Sequence, residues 1–144
     1  MAWWKKLFGS DADEEEVDYY REGLELLAVG KYHEALTSLR LALREAPGDV
    51  AILQQIAIAY TRIGMTDEAM KTYRGVLLKD PKAVGAHYGL AFLLLREGQR
   101  DEAVAHLRAF LASPPRGEEA GRHIMHARKT LAELMGEPVE EGSS

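Results

Sequence analysis

Residues 30–49 read GKYHEALTSLRLALREAPGD, residues 64–83 read GMTDEAMKTYRGVLLKDPKA, and residues 98–117 read GQRDEAVAHLRAFLASPPRG. Set under one another, the three segments keep one register. Gly30, Gly64 and Gly98 stand 34 residues apart, as do Ala35, Ala69 and Ala103, and as do Pro47, Pro81 and Pro115. Three residue types recurring three times at one spacing mark an internal repeat, and a period of this size belongs to stacked-repeat architectures.

The punctuation has a local cause. Each Gly ends a helix, because a residue without Cβ accepts the left-handed conformation that closes a last turn. A second helix follows with its Ala one turn in. Each Pro then stops it, since Pro lacks an amide donor and restricts the residue before it. The spacing predicts first helices over Val17–Val29, Val50–Ile63 and Val84–Glu97, and second helices over His33–Ala46, Asp67–Asp80 and Asp101–Ser113.

Over residues 16–117 this pattern resembles the tetratricopeptide repeat family. The family's small residue in the first helix matches Gly23, Ala57 and Ala91, and its small residue early in the second matches Ala35, Ala69 and Ala103. Small side chains at those positions let paired helices cross closely. The large packing positions match Tyr19, Leu53 and His87, then Leu26, Tyr60 and Leu94, then Leu39, Tyr73 and Leu107. His87 departs from the pattern, and Phe110 is bulkier than the Ala42 it corresponds to. The resemblance implies an all-α, right-handed α-solenoid of three helix-turn-helix repeats, at about 16–49, 50–83 and 84–117.

Beyond the third repeat, Ile124, Ala127, Leu131 and Leu134 fall on one face at helical spacing. Residues 118–136 are therefore expected to form a capping helix, which an open solenoid end requires. Residues 137–144 read as a solvated tail, and residues 1–16 as a separate amphipathic segment with an acidic linker.

The first helices carry more apolar surface than one packed side needs. Tyr88, Phe92 and Leu95 form an extra stripe in the third repeat. The same register gives Tyr20, Leu24 and Leu27 in the first repeat, and Gln54, Ile58 and Thr61 in the second. In the family these offsets line the concave face, so the resemblance implies an apolar and aromatic groove with a polar centre. Such a groove suits an apolar peptide or amphipathic helix. The alternative is that these side chains fill space between helices or are covered by the chain itself. Arg62 and Arg96, 34 residues apart near first-helix ends, read either as partners for acidic residues or as solvated charges favoured at a helix C-terminus. Chaperone-binding members clamp a terminal carboxylate with Lys and Asn. The matching positions here hold Tyr20, Leu24, Gln54, Ile58, Tyr88 and Phe92, so that clamp is not expected. Gly85 and Gly89 each cost about 1 kcal/mol relative to Ala inside a helix. They read as a notch beside Tyr88 and Phe92 for a ligand side chain, or as tolerated defects.

The segment MAWWKKLFG stands outside the repeats. Trp3, Trp4, Leu7 and Phe8 around Lys5 and Lys6 suit a membrane interface or a protein groove, in this chain or in a neighbouring copy. The six acidic residues between Asp11 and Asp18 would weaken attachment to anionic lipid, so membrane contact is expected to be weak and peripheral.

Composition narrows the function classes. The chain has 144 residues, 47% hydrophobic and 28% charged, with a formal net charge of −5. A nucleic-acid binder needs a cationic excess, so none is expected. With no cysteines, disulfides, thiol nucleophiles and zinc thiolates drop out, and the simplest compartment is the cytoplasm. No phosphate-cradling glycine loop or nucleophile elbow appears. His123 and His126 with Glu119 have partial ligand spacing and read as surface residues. The expectation is a protein-binding adaptor or scaffold without cofactor, metal or catalysis. Its partner is another protein, or the Trp3–Phe8 segment of a second copy in a homo-oligomer.

Overall fold

The computed structural model describes residues 16–137. Seven helices and no strand occur among them. They run α1 (Tyr19–Ala28), α2 (Tyr32–Glu45), α3 (Val50–Ile63), α4 (Thr66–Lys79), α5 (Val84–Arg96), α6 (Arg100–Ala112) and α7 (Glu118–Leu134). Each helix packs chiefly on its chain neighbours, so three hairpins, α1–α2, α3–α4 and α5–α6, stack in series with α7 closing the end. The first helices also meet one another, α1 with α3 and α3 with α5, more than the second helices do. That asymmetry curves the stack and places α1, α3 and α5 on its inner wall. The segment Trp3–Phe8 and the acidic residues before Glu16 lie outside the described residues.

The turn within each hairpin repeats as a unit. The amides of Lys31, Met65 and Gln99 donate to the carbonyls of Leu26, Tyr60 and Leu94 at 2.9, 2.9 and 2.8 Å. Between each pair lies Gly30, Gly64 or Gly98, at φ of 81°, 94° and 78°, a region that side-chain-bearing residues avoid. The glycine periodicity therefore encodes three copies of one helix stop.

Helix starts differ slightly from the sequence expectation. The second helices begin one residue early, at Tyr32, Thr66 and Arg100, because nothing separates the glycine turn from the first helical residue except one extended position. The first helix begins two residues late, at Tyr19, because the Asp18 carboxylate accepts from the Arg21 amide at 3.0 Å and caps it there. Asp49 caps α3 in the same way through the Ile52 amide, also at 3.0 Å. The second helices end at Glu45, Lys79 and Ala112, ahead of their prolines.

Ala35, Ala57, Ala69, Ala91 and Ala103 are completely buried. At Gly23 a Cβ would sit 2.6 Å from Leu39 Cδ2, so the first crossing tolerates no side chain at all. The buried Ser38 hydroxyl donates to Glu22 across the same hairpin at 2.8 Å. The core divides into two clusters. The larger runs from Leu36 in α2 to Ala103 in α6. The smaller joins Ala91, Leu107 and Phe110 to Ala127 of α7, with Ile124, Leu131 and Leu134 at its edge. Phe110 is 2% exposed, and its bulk fills the space between the third hairpin and the capping helix.

Candidate functional site

The inner wall is built from one face each of α1, α3 and α5. Tyr20, Leu24 and Leu27 lie on α1, Gln54, Ile58 and Thr61 on α3, and Tyr88, Phe92 and Leu95 on α5. All nine are half-buried: none is sealed in the core, and none stands free in solvent. Arg62 and Arg96 are exposed, each in the last turn of its helix. Arg62 borders a shallow cleft of about 390 Å³ lined by Lys31, Tyr32, His33 and Ile63.

The structure does not bring all of these residues together into one open surface. On α1, Tyr20 and Leu27 lean against the main core, and Leu24 belongs to neither cluster. On α5, the stripe is met by α7. The Tyr88 ring packs on Phe92, Phe110 and His123 at centroid distances of 4.8, 5.0 and 4.9 Å. Its hydroxyl lies 2.9 Å from His126 Nδ1. The His126 ring stacks on Phe92 at 4.5 Å with an interplanar angle of 8°. Burial raises the Tyr88 phenol above its ordinary value, so it stays protonated and neutral at physiological pH. His123 and His126 thus join the site as its fourth-helix wall. Sequence reasoning set them apart as surface residues, because their contact with Tyr88 lies off the 34-residue register. Among the described residues no group of three or more His, Asp or Glu side chains is arranged to hold a metal ion.

The glycine notch is corrected. A Cβ on Gly89 would collide with the Tyr73 ring of α4, and one on Gly85 would come within 2.8 Å of Gln54 Oε1. The space these glycines free is therefore occupied from within, by an aromatic ring at one and an amide at the other, and not left for a ligand. Burial pushes the Tyr73 phenol up to about 12, while a hydrogen bond with Thr61 and the Arg62 charge act the other way. Thr61 also donates to the Ala57 carbonyl at 2.8 Å. The polar centre of the wall is thus tied into the second hairpin. Among the described residues no helix is long and apolar enough to cross a membrane.

Comparisons with known proteins agree with this geometry. The chain resembles the Yersinia enterocolitica type III secretion chaperone SycD in complex with a peptide of the translocator YopD. The TM-score is 0.74 at 18% identity, over 87% of this chain and 93% of that one. PcrH in complex with the chaperone-binding region of PopD gives 0.73 at 16% identity, over 88% and 93%. The first repeat domain of Spaghetti bound to an HSP90 peptide gives 0.66 at 18%, over 79% and 90%. At such identities the likeness shows the fold. No curated protein matches by sequence. The tetratricopeptide repeat model matches residues 26–84 and 64–121. With a repeated glycine stop, close helix crossings and a stacked solenoid behind that match, the chain belongs to the tetratricopeptide repeat family.

Proposed function

We propose that this protein is an interaction module that takes an apolar peptide or amphipathic helix along the inner wall of its repeats. One observation carries the reading: nine side chains at one register on three successive first helices, seven of them apolar or aromatic, remain half-buried after the fold is complete. Two or three anchors from a partner, each contributing about 1.5–3 kcal/mol on burial, give useful affinity after ordering costs. That three similarly folded solenoids were solved with peptides of other proteins supports the same use of the fold. The role is that of an adaptor or scaffold and not of a catalyst.

Capture of peptides from a random library tests it. Wild type is compared with two double variants, Tyr20→Ala with Leu24→Ala, and Tyr88→Ala with Phe92→Ala. Selected peptides should be lost from at least one variant that keeps its helical spectrum. If every peptide survives both, the groove is not the site.

A second reading has its own support. Trp3, Trp4, Leu7 and Phe8 have the chemistry this groove suits, so a neighbouring copy's segment is a candidate occupant. Deleting residues 1–9 should then reduce molecular mass in light scattering. An unchanged mass removes the idea. Sedimentation with anionic liposomes, with and without the two tryptophans, separates this from peripheral membrane contact.

A further inference from the structure

We propose that His87 and His106 share a single proton between their Nδ1 atoms, forming a latch that clamps α5 to α6 within a limited pH window. His87 lies on α5 and His106 on α6. Their Nδ1 atoms are 2.9 Å apart, with ring centroids at 5.1 Å and an interplanar angle of 35°. The outer nitrogens are fixed by their neighbours. His87 Nε2 is 2.9 Å from the Pro81 carbonyl oxygen. A carbonyl only accepts, so that nitrogen carries hydrogen. His106 Nε2 faces Glu102 Oε2 at 3.6 Å, an acceptor that favours N–H over a lone pair.

With both Nε2 atoms protonated, the facing Nδ1 atoms have room for one hydrogen. The pair then bears a single positive charge, and every ring nitrogen has a partner. A second proton would set N–H against N–H between two cations. Removing the shared proton leaves two lone pairs face to face, or turns His106 to the tautomer that presents a lone pair to Glu102. Two imidazoles so placed titrate as a unit, in separate steps.

The charged groups around the pair come from each packed element. Glu102 belongs to α6, Arg74 comes from α4 and holds Glu102 through both guanidinium nitrogens, and the Pro81 carbonyl comes from the α4–α5 turn. Burial, and next the His87 ring, lower the proton affinity of His106, while Glu102 acts the other way. His87 immediately precedes Tyr88, so the latch also fixes the rotation of α5 that presents Tyr88 to α7. It stands whatever occupies the inner wall.

Side-chain ¹⁵N spectra of the full chain test this, recorded from about pH 4 to pH 9 to bracket the ordinary histidine value of ~6.5. His87 and His106 should titrate in two coupled steps more than about one pH unit apart, a tenfold or larger difference in proton affinity. The second step should fall below the ordinary histidine value. His106→Asn places a neutral amide near the Nδ1 position, and His87 should then titrate in one step. His87→Asn is the mirror variant should the first fail to fold. The proposal is overturned if both wild-type histidines titrate together at the ordinary value. It is equally overturned if one histidine titrates identically with and without the other.

Discussion

The first and third repeats carry the same stripe at the same register, yet their surroundings differ. On α1, Tyr20, Leu24 and Leu27 have the core behind them, and among the described residues no helix precedes α1 in the stack. On α5, Tyr88 and Phe92 have the α7 histidines before them, with one ring stacked and one hydroxyl engaged. A repeat's position in the array, and not its sequence alone, decides whether an apolar stripe is open or roofed. The α1 stripe is the more accessible anchor, and the α5 stripe binds only where it shares space with His123 and His126.

Four changes break or sharpen that contrast. Ala103→Glu should have the largest effect. It forces a charge into a crossing where Ala103 is 0% exposed, costing on the order of 3 kcal/mol. Urea unfolding should show the loss, and a fully stable variant would mean that the crossing is looser than it looks. Gly89→Ala should cost about 1–3 kcal/mol by overpacking against Tyr73. The same change at Gly121 of α7, where a Cβ meets nothing within 4 Å, should instead stabilise by about 0.4–1 kcal/mol. Opposite signs at these two helical glycines are the sharp outcome. Tyr88→Phe removes only the hydroxyl facing His126 and should cost about 1 kcal/mol. It loosens the roof over the third stripe, with no counterpart at Tyr20.

Acid should act on the third repeat first. His106 takes up a proton less readily when folded than an ordinary histidine does, so the unfolded chain binds the proton first. Its contribution is fully present above the unfolded value of ~6.5 and falls as pH drops below it. Glu102 is held low by its hydrogen bond to Arg74. Its contribution is present above the unfolded carboxylate value and is lost as pH falls through the lower, folded one. Thermal midpoints should therefore decline in two stages toward acid. His106→Asn should remove the upper stage, and a variant curve parallel to wild type would rule that out.

Much of the fold was legible because a helix stop needs a residue that tolerates positive φ, and a close crossing needs a side chain no larger than Ala. Gly30, Gly64 and Gly98, with Gly23, Ala57 and Ala91, announce both conditions. The site was legible only as a register. Nothing along the chain tells that Tyr73, sixteen residues before Gly89, swings into the gap that glycine leaves. Nor does it tell that His126 lies flat on Phe92. His87 looked like a poor packing residue because its partners, Pro81 and His106, satisfy ring nitrogens and not hydrocarbon.

The division of the core into two clusters has a dynamic consequence. Since the smaller cluster depends on Phe110 and Ala127 alone to join α6 to α7, the end of the array can peel away while the rest remains assembled. Linear arrays open by such piecewise release. Amide exchange should therefore be fastest in α7, intermediate in α6 and slowest in α3 and α4, which makes the roof over Tyr88 a door on its own hinge.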